Sequence, residues 1–511
     1  MSCKDRKDLA EQAFSALKWN YGGTLVRSGA QILIGIVLAR ILGPEPFGLV
    51  AIAWIVISLG YLVADFGFGA ALVQRQILSN DEVRYTFTLQ VLIGLGLTAL
   101  VYGSASLIAQ VFKQPEIVPV LQVLSLIFVF QSLGQTATSL LKRNLDFRSV
   151  QMGQVLSNVV SYVLLGIPLA YMGFEVWSLA IAQLSQSLMY ALVTYFRVRH
   201  PIKPLLKIHA AGFFGFGMKV TITNLVNWMI SNMDNVFVGR FFGAVSLGLY
   251  SRTYVLMNTP TNNLVAMLQG ILFSAYSKTQ DDLAKLKRVY LASVSIIATI
   301  ALPVFGSIAV VPHTVIEGVY GKNWLNAVPF LVPLALAMPF FALMALAGPL
   351  IWGKGKVERE LRVQAIVAAL FIVVLSVTSK ISVVAMAWGV FAVYVVRFIF
   401  MTKEVLQVTG ASWQEILISM RGSVLILIVA ASVVSGTDAI LVPYDAISSL
   451  IRLIIDAFAA ATAAFLLFLA LPRVVLSPET IWVSNRFLQS LPPSLCWILV
   501  HINGAKSKAN G

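Results

Sequence analysis

The stretch ARILGPEPFGL at residues 39–49 and the stretch GRFFGAVSLGL at residues 239–249 share an arginine, two glycines and a leucine at equal spacing. Each stretch lies in a short turn between two long apolar segments, where glycine permits a tight turn that other residues resist. The copies are two hundred residues apart, with an even number of apolar segments between them. This arrangement indicates a duplicated chain whose halves share one orientation, which is the parallel repeat found in many carriers.

Apolar segments surround these turns along nearly the whole chain. The mean hydropathy is +0.85, and only 12% of the residues are charged. Each segment is long enough to cross a hydrocarbon core of about 30 Å. The spans are predicted at 20–42, 47–66, 88–111, 118–140, 151–172, 176–196, 212–238, 245–268, 289–311, 326–352, 361–379, 382–402, 422–442 and 447–471. The polar run 258–263, which contains Pro260, predicts a kink or partial unwinding of the eighth span.

The predicted fold class is an all-α integral membrane protein with about 14 transmembrane helices. The parallel repeat divides the first twelve spans into two six-helix bundles, with two further helices after them. The predicted domains are a cytoplasmic segment 1–19, bundles 20–200 and 212–402 joined by a linker 201–211, two additional helices within 403–472, and a cytoplasmic or interfacial tail 473–511.

The basic residues give the predicted orientation. Most of the 37 Lys and Arg residues lie in the N-terminal segment, the even-numbered loops and the C-terminal tail. The odd-numbered loops carry only Arg40, Lys113, Arg240, Lys322 and Lys380. The positive-inside rule therefore places both termini of this multi-pass membrane protein in the cytoplasm. The net charge of +15 is explained by topology and by attraction to membrane lipid, so we expect no nucleic-acid partner.

The loops are short, and this limits the classes of activity. No gap between predicted spans has room for a folded extramembrane domain of a hundred or more residues. No paired carboxylates, Ser-His-Asp set or Cys-His set stands out, and the four histidines are scattered. We therefore predict a transporter rather than an enzyme, with no cofactor and no metal site.

Polar residues follow helical spacing in the two spans that open the halves. The first span carries a stripe of Asn20, Thr24, Arg27 and Gln31, and the seventh carries Lys219, Thr223, Asn227, Ser231 and Asp234. A charge near the middle of a bilayer costs about 2.5–3.5 kcal/mol, so such stripes face protein or water. They are either hydrogen-bonding contacts between helices or the wall of an aqueous cavity, and their matching places in a repeat favour the cavity.

Individual residues in these spans suggest roles. Arg27 and Lys219 lie at similar depth without an evident acidic partner, which is suited to an anion such as phosphate. The other candidate lining residues are Gln31, Asn224, Asn227 and Arg252. Asp234 and Asp65 are candidates for ion coupling, although Asp234 and Arg252 are alternatively a structural pair. We expect Arg452 and Asp456, four residues apart, to neutralise each other on one helix face.

Three stretches of the sequence resemble a known family. VLARILGPEPFG at 37–48, DFGFGAALVQ at 65–74 and LLKRNLDFR at 140–148 resemble the Wzx-type polysaccharide flippases, in the exporter branch for exopolysaccharides such as colanic acid, succinoglycan or amylovoran. The resemblance covers about residues 15–475. It implies the fold of the multidrug/oligosaccharidyl-lipid/polysaccharide superfamily, in which two six-helix bundles form a V-shaped cleft.

The resemblance also implies a function. The substrate would be an oligosaccharide repeat unit on undecaprenyl pyrophosphate, flipped across the inner membrane for exopolysaccharide or lipopolysaccharide biosynthesis. A Wzy-like polymerase and a chain-length regulator are the implied protein partners. The alternatives are a cation-coupled multidrug antiporter of the same superfamily, a lipid II flippase and, more distantly, a membrane-embedded polysaccharide polymerase or ligase.

Overall fold

The protein is helical throughout the part of the chain that the structure describes. This computed structural model describes residues 3–64, 72–73, 78–206, 213–279, 282–444, 447–475 and 477–481. The α-helices are α1 (Cys3–Leu42), α2 (Pro44–Ala64), α3 (Asn80–Phe112), α4 (Ile117–Leu124), α5 (Ile127–Arg143), α6 (Phe147–Ser161), α7 (Ile167–Tyr171), α8 (Glu175–Val198), α9 (Phe213–Thr279), α10 (Leu283–Val310), α11 (Pro312–Tyr320), α12 (Val328–Met344), α13 (Ala347–Gly353), α14 (Val357–Thr378), α15 (Val383–Thr409), α16 (Trp413–Leu441), α17 (Ser449–Ala470) and α18 (Pro472–Val475). A π-helix at Tyr162–Gly166 joins α6 to α7, and a 3-10 helix at Lys322–Ala327 precedes α12.

Twelve helical segments of the described chain are long and apolar enough to cross a membrane. The 67-residue α9 is not among them, and its two arms meet at Gly243. Each arm is also long enough to cross a bilayer, and the two arms lie at the places of the predicted seventh span (212–238) and eighth span (245–268). The predicted tail beyond residue 481 and the link 207–212 lie outside the described residues.

The break in α9 is at a glycine and not at the proline. Gly243 has φ 82° and ψ −178°, a conformation open essentially only to glycine, whereas α9 continues through Pro260. The predicted unwinding at 258–263 is therefore wrong. A single missing backbone hydrogen bond is tolerated inside a membrane helix when its surroundings satisfy the freed carbonyl.

Side-chain caps fix the starts of several helices. Ser79 and Glu82 form a capping box at the start of α3, and Ser412 and Glu415 form another at the start of α16. Asp146 caps α6 by accepting a hydrogen bond from the Ser149 backbone at 3.0 Å. Burial opposes ionisation of Asp146, but the hydrogen bonds from Ser149 and the charge of Arg197 outweigh it and lower the pKa of this carboxyl.

By its internal contacts the chain divides into two compact units, Met1–Arg252 and Thr253–Gly511. In unit 1 the main helix pairs are α5 with α8, α3 with α5, and α1 with α6. In unit 2 they are α10 with α16, α12 with α15, and α16 with α17. Small residues sit at such crossings, as is usual between membrane helices: a Cβ on Gly134 of α5 would lie 2.9 Å from the Cα of Ala191 on α8. The predicted domain bounds follow the repeat rather than these contacts, and they stay a prediction.

The two copies of the repeated turn meet inside unit 1. Gly43 and Gly243 both have positive φ, 74° and 82°, as the predicted tight turns require. A Cβ on Gly48 would overlap the carbonyl oxygen of Ala244. Equivalent turns of an inverted repeat would lie on opposite faces of the membrane, so their contact supports a parallel repeat.

Candidate functional site

A polar cavity in unit 1 contains two of the predicted lining residues, Arg27 and Gln31. It has a volume of about 240 Å³ and is walled by α1, α5, α6 and α8. Its lining consists of Arg27, Gln31, Gln131, Gly134, Gln135, Thr138, Lys142, Gln154, Ser157, Gln183, Gln186, Ser187 and Tyr190. Among these described residues are two cations and no acid. We refer to this space as the Arg27 cavity.

The amide of Gln154 holds Arg27 at the cavity wall. Arg27 Nη1 donates a hydrogen bond of 2.7 Å to Oε1 of Gln154. Its buried Nε has no hydrogen-bond partner among the residues that the structure describes. A guanidinium has five donors in a planar fork, so most of its hydrogen-bonding capacity remains for another acceptor. A carboxylate or phosphate matches this fork in charge and geometry.

A close helix contact holds α1 against α6 below Arg27. A Cβ on Gly23 would lie 2.5 Å from the Cβ of Gln151, so the absence of a side chain at this position permits the contact. Nε2 of Gln151 donates to Oδ1 of Asn20 at 2.9 Å, and the Thr24 hydroxyl donates to the Asn20 carbonyl at 2.7 Å. The polar stripe on α1 therefore has two parts. Asn20 and Thr24 form hydrogen bonds within the protein, whereas Arg27 and Gln31 line the cavity.

Most residues that line the Arg27 cavity were not among the predicted site residues. Lys142, near the end of α5, supplies the second cation. Gln131 and Gln135 on α5 are four residues apart, and Gln183 and Gln186 on α8 are three apart, which is helical spacing. Helical spacing of polar residues identified the stripe on the first span. The same criterion would have identified these two glutamine pairs if spans without a charged residue had also been considered.

Tyrosine hydroxyls connect α8 to its neighbours at the cavity. The Thr138 hydroxyl on α5 donates to the Tyr190 hydroxyl at 3.2 Å. The Tyr162 hydroxyl donates to Oε1 of Gln183 at 2.7 Å. These contacts orient neutral donors and acceptors around the two cations, so the cavity can bind an anion together with groups rich in hydroxyls.

The other predicted residues of unit 1 lie elsewhere. Asp234 is buried and accepts hydrogen bonds of 2.8 Å from the Tyr250 hydroxyl and from the Asn235 backbone. The Arg252 guanidinium lies 4.0 Å from the centroid of the Phe47 ring. Asn227 is exposed on α9. None of the three is among the residues that line the Arg27 cavity.

Three candidates cannot be placed. Asp65 lies outside the described residues, as do the side chains of Lys219 and Asn224. The proposed partnership of Arg27 with Lys219 and the ion-coupling role of Asp65 therefore stay predictions.

The predicted ion pair of α17 is not formed. Arg452 lies in the first turn and reaches back, so that its Nε donates to the Ile447 carbonyl at 3.1 Å and its Nη2 to the Tyr444 carbonyl at 3.2 Å. Asp456 instead accepts a hydrogen bond of 2.5 Å from the Thr437 hydroxyl on α16. Backbone carbonyls in the preceding loop are the partners of this guanidinium, in place of a carboxylate one turn further into the helix.

Unit 2 contains a charged residue that was not among the predicted site residues. Arg397 lies inside α15, within the predicted span 382–402, and its buried Nε has no hydrogen-bond partner among the described residues. The Glu360 carboxylate is close enough to interact electrostatically with Arg397, and its buried Oε2 also lacks a hydrogen-bond partner in the described part of the chain.

Comparisons with known sequences point to one family. A sequence profile described as "Polysaccharide biosynthesis protein" matches residues 37–329. The lipopolysaccharide biosynthesis protein WzxC of Escherichia coli (strain K12) is 26% identical over 81% of this chain and 85% of its own length. The teichuronic acid biosynthesis protein TuaB of Bacillus subtilis (strain 168) is 26% identical over 68% of this chain and 73% of its own length.

Solved structures match the fold. A lipid II flippase MurJ in an inward closed conformation has a TM-score of 0.70 at 16% identity, over 88% of this chain and 99% of that one. A multidrug resistance MATE family transporter of the MOP superfamily in an inward-facing conformation has a TM-score of 0.59 at 14% identity, over 76% and 99% of the two chains. At these identities the likeness establishes the fold alone, and it is the fold of a multi-pass membrane transporter.

Proposed function

The chain belongs to the polysaccharide biosynthesis protein family, and from this premise we propose that it flips polyprenyl-pyrophosphate-linked oligosaccharides across the membrane, with the Arg27 cavity receiving the pyrophosphate. The observation that carries the proposal is the pairing of two cations, Arg27 and Lys142, in a described lining without an acid. A pyrophosphate supplies the negative charge that this lining lacks.

The neutral part of the lining suits the rest of the head group. A sugar hydroxyl that leaves water without a replacement partner loses several kcal/mol, which makes unaided passage through hydrocarbon prohibitive. The glutamines of α5 and α8 each offer two donors and an acceptor carbonyl in place of water. The polyprenyl chain remains in the lipid, and exposure of the cavity first to one side and then to the other completes the transfer.

The relatives support this substrate class. Proteins named for lipopolysaccharide and teichuronic acid biosynthesis align with most of this chain. A polymer of this kind requires its repeat units on the outer side of the inner membrane, where a Wzy-like polymerase and a chain-length regulator would act on them. We accordingly propose the bacterial inner membrane as the location, with both termini cytoplasmic.

The electrostatics of the cavity separate this proposal from its alternatives. A cation-coupled drug antiporter binds cationic substrates, and these would be repelled by Arg27 and Lys142. A lipid II flippase carries the same pyrophosphate with a different head group, so only the sugar distinguishes it. A membrane-embedded polymerase or ligase needs a catalytic group for which the described lining offers no carboxylate or histidine.

A cellular experiment tests the proposal. The chain is expressed in a strain that lacks its own repeat-unit flippase, and lipid-linked repeat units are quantified in the inner membrane together with the exported polymer. The proposal expects restored export and loss of the accumulated intermediate with the wild-type chain. Expression at normal level without any change in the intermediate, for every repeat-unit chemistry tried, would reject it.

A further inference from the structure

A second cavity of unit 1 adjoins the Arg27 cavity and differs from it in chemistry. It has a volume of about 300 Å³ and is walled by α2, α3 and α5. Its lining consists of Tyr61, Leu62, Ala64, Gln90, Gly94, Phe128, Gln131, Ser132 and Gln135. Among these described residues there is no charged side chain. We refer to this space as the Tyr61 cavity.

The two cavities share part of one wall. Gln131 and Gln135 of α5 line both of them. The two glutamines are one helical turn apart, about 6 Å along the axis. A ligand bound at Arg27 can therefore extend past these amides into the Tyr61 cavity.

Aromatic rings form the apolar side of the Tyr61 cavity. The Tyr61 ring meets the Phe128 ring edge to face, with 5.6 Å between centroids and an angle of 80°. A Cβ on Gly60 would overlap Cζ of Phe128, so the absence of a side chain at Gly60 leaves room for this ring. The face of an aromatic ring carries partial negative charge and attracts the polarised C–H groups of a sugar ring.

Amides form the polar side. Oε1 of Gln90 accepts a hydrogen bond of 2.5 Å from the Thr136 hydroxyl. This contact occupies the carbonyl of Gln90 and fixes its orientation, which leaves its two N–H donors for another partner. The exposed Gln131 adds a further amide. An aromatic face opposite amide donors and acceptors, without a formal charge, matches a neutral pyranose.

We propose that the Tyr61 cavity binds the sugar attached directly to the pyrophosphate, and that this sugar is a neutral hexose. The inference rests on the proposed function, because it needs the pyrophosphate in the Arg27 cavity. The sugar ring stacks on Tyr61, and its hydroxyls exchange hydrogen bonds with Gln90 and Gln131. A uronic acid is disfavoured, because its carboxylate would lose water without gaining a cation.

Binding measurements on the full chain in lipid nanodiscs test the inference. The probes are undecaprenyl pyrophosphate, the same lipid carrying one glucose, and the same lipid carrying one glucuronic acid. The wild-type protein should bind the glucose lipid about tenfold more tightly than the sugar-free lipid, and more tightly than the glucuronic acid lipid. In Tyr61→Leu and in Gln131→Ala the glucose preference should shrink to about twofold. Tyr61 lines only the Tyr61 cavity, so Tyr61→Leu should also keep the wild-type affinity for the sugar-free lipid.

Tyr61→Phe keeps the ring and should keep most of the preference. Tyr102→Leu is the matched control, since this exposed tyrosine of α3 lines neither cavity. Gln131 is exposed, so its variant remains informative if Tyr61→Leu fails to fold. Equal preference for glucose in wild type, Tyr61→Leu and Gln131→Ala, or glucuronic acid binding as tightly as glucose, would overturn the sugar site.

Arg27→Gln separates this inference from the proposed function. It should weaken binding of all three lipids by a similar factor, since all carry the pyrophosphate. If it does so while the Tyr61 and Gln131 variants change nothing, the sugar site is wrong and the proposed function stands. If Arg27→Gln leaves all three affinities unchanged, the proposed function fails, and the sugar site fails with it.

Discussion

Gly48 and Gly248 lie against each other in unit 1, two hundred residues apart in sequence. A Cβ on Gly248 would lie 3.0 Å from the backbone nitrogen of Gly48 and would overlap the Pro44 carbonyl oxygen, while a Cβ on Gly48 would overlap the Ala244 carbonyl oxygen. Pro44 and Ala244 are themselves equivalent in the repeat. The contact is reciprocal, as a local two-fold axis between two copies of one motif requires.

This contact predicts a sharp cost for the smallest side chain. Gly48→Ala and Gly248→Ala should each destabilise the protein by about 1–3 kcal/mol or more, because backbone rather than a flexible side chain must move. Gly96→Ala is the control: it also lies in a helix, and a Cβ there would meet nothing within 4 Å. The difference in stability is measured by heating each variant in detergent and monitoring the remaining folded protein by size-exclusion chromatography. Equal melting temperatures for all three variants would contradict the reciprocal contact.

The turn glycines and the polar stripes show what sequence alone can give. The all-helical fold with many membrane spans, the glycine turns at Gly43 and Gly243, and the polar face of α1 could be predicted because each depends on local spacing. The Arg27 cavity could not be predicted in full. Its other walls come from α5, α6 and α8, and which faces of these helices meet depends on close packing at positions such as Gly23 and Gly134.

His200 predicts a pH dependence of stability. The ring is 4% exposed and packs against Phe87 and Tyr195 at centroid distances of 5.1 and 5.3 Å. Burial lowers the pKa of His200 from its ordinary value of 6.5, although a hydrogen bond to the Pro201 carbonyl opposes the shift. The folded protein therefore binds the proton on His200 less readily than the unfolded chain does. The contribution of His200 to stability is full above about pH 6.5, the pKa in the unfolded chain, and is lost as the pH falls through the lower pKa of the folded state.

Melting temperatures between pH 5 and pH 8 in the wild type and in His200→Gln measure this contribution. The wild type should lose stability toward pH 5 more steeply than the variant, whatever the variant's stability at pH 8. If the melting temperature of His200→Gln falls as steeply with pH as that of the wild type, the pKa of His200 is the same in the folded and unfolded states and the prediction is wrong.

The charge distribution predicts the topology. Reporter fusions after Lys207 and Arg288 should report the cytoplasm, and fusions after Lys113 and Lys322 should report the periplasm, since basic loops stay inside. Paired alkaline phosphatase and green fluorescent protein fusions give opposite signals for each site. Two or more reversed sites would invalidate the fourteen-span topology.

The Arg27 cavity predicts a pattern of solvent access. Single cysteines at Gln31, Gln131 and Gln186 should react with a small polar thiol reagent, because these side chains line the cavity. A cysteine at Leu100 is the control, an exposed position on α3 that lines neither cavity and faces lipid in an apolar span. The reaction is followed by mass shift in membrane vesicles, in a chain whose Cys3 and Cys496 are replaced by serine. Labelling at Leu100 as fast as at the glutamines would mean that the rates do not report a water-filled cavity.

The central claim is that Arg27 and Lys142 bind the pyrophosphate of the transported lipid, and flipping in proteoliposomes tests it most directly. The rate is measured with a polyprenyl-pyrophosphate-linked oligosaccharide for wild type, Arg27→Gln, Lys142→Gln and the double variant, with Lys113→Gln as an exposed cation outside the cavity. A hydrogen bond to a charged group contributes about 1.5–3 kcal/mol, so each single variant should lose at least about tenfold in kcat/KM for the lipid. The double variant should lose more, and Lys113→Gln should match the wild type. Wild-type flipping by a folded, correctly inserted double variant would contradict the account.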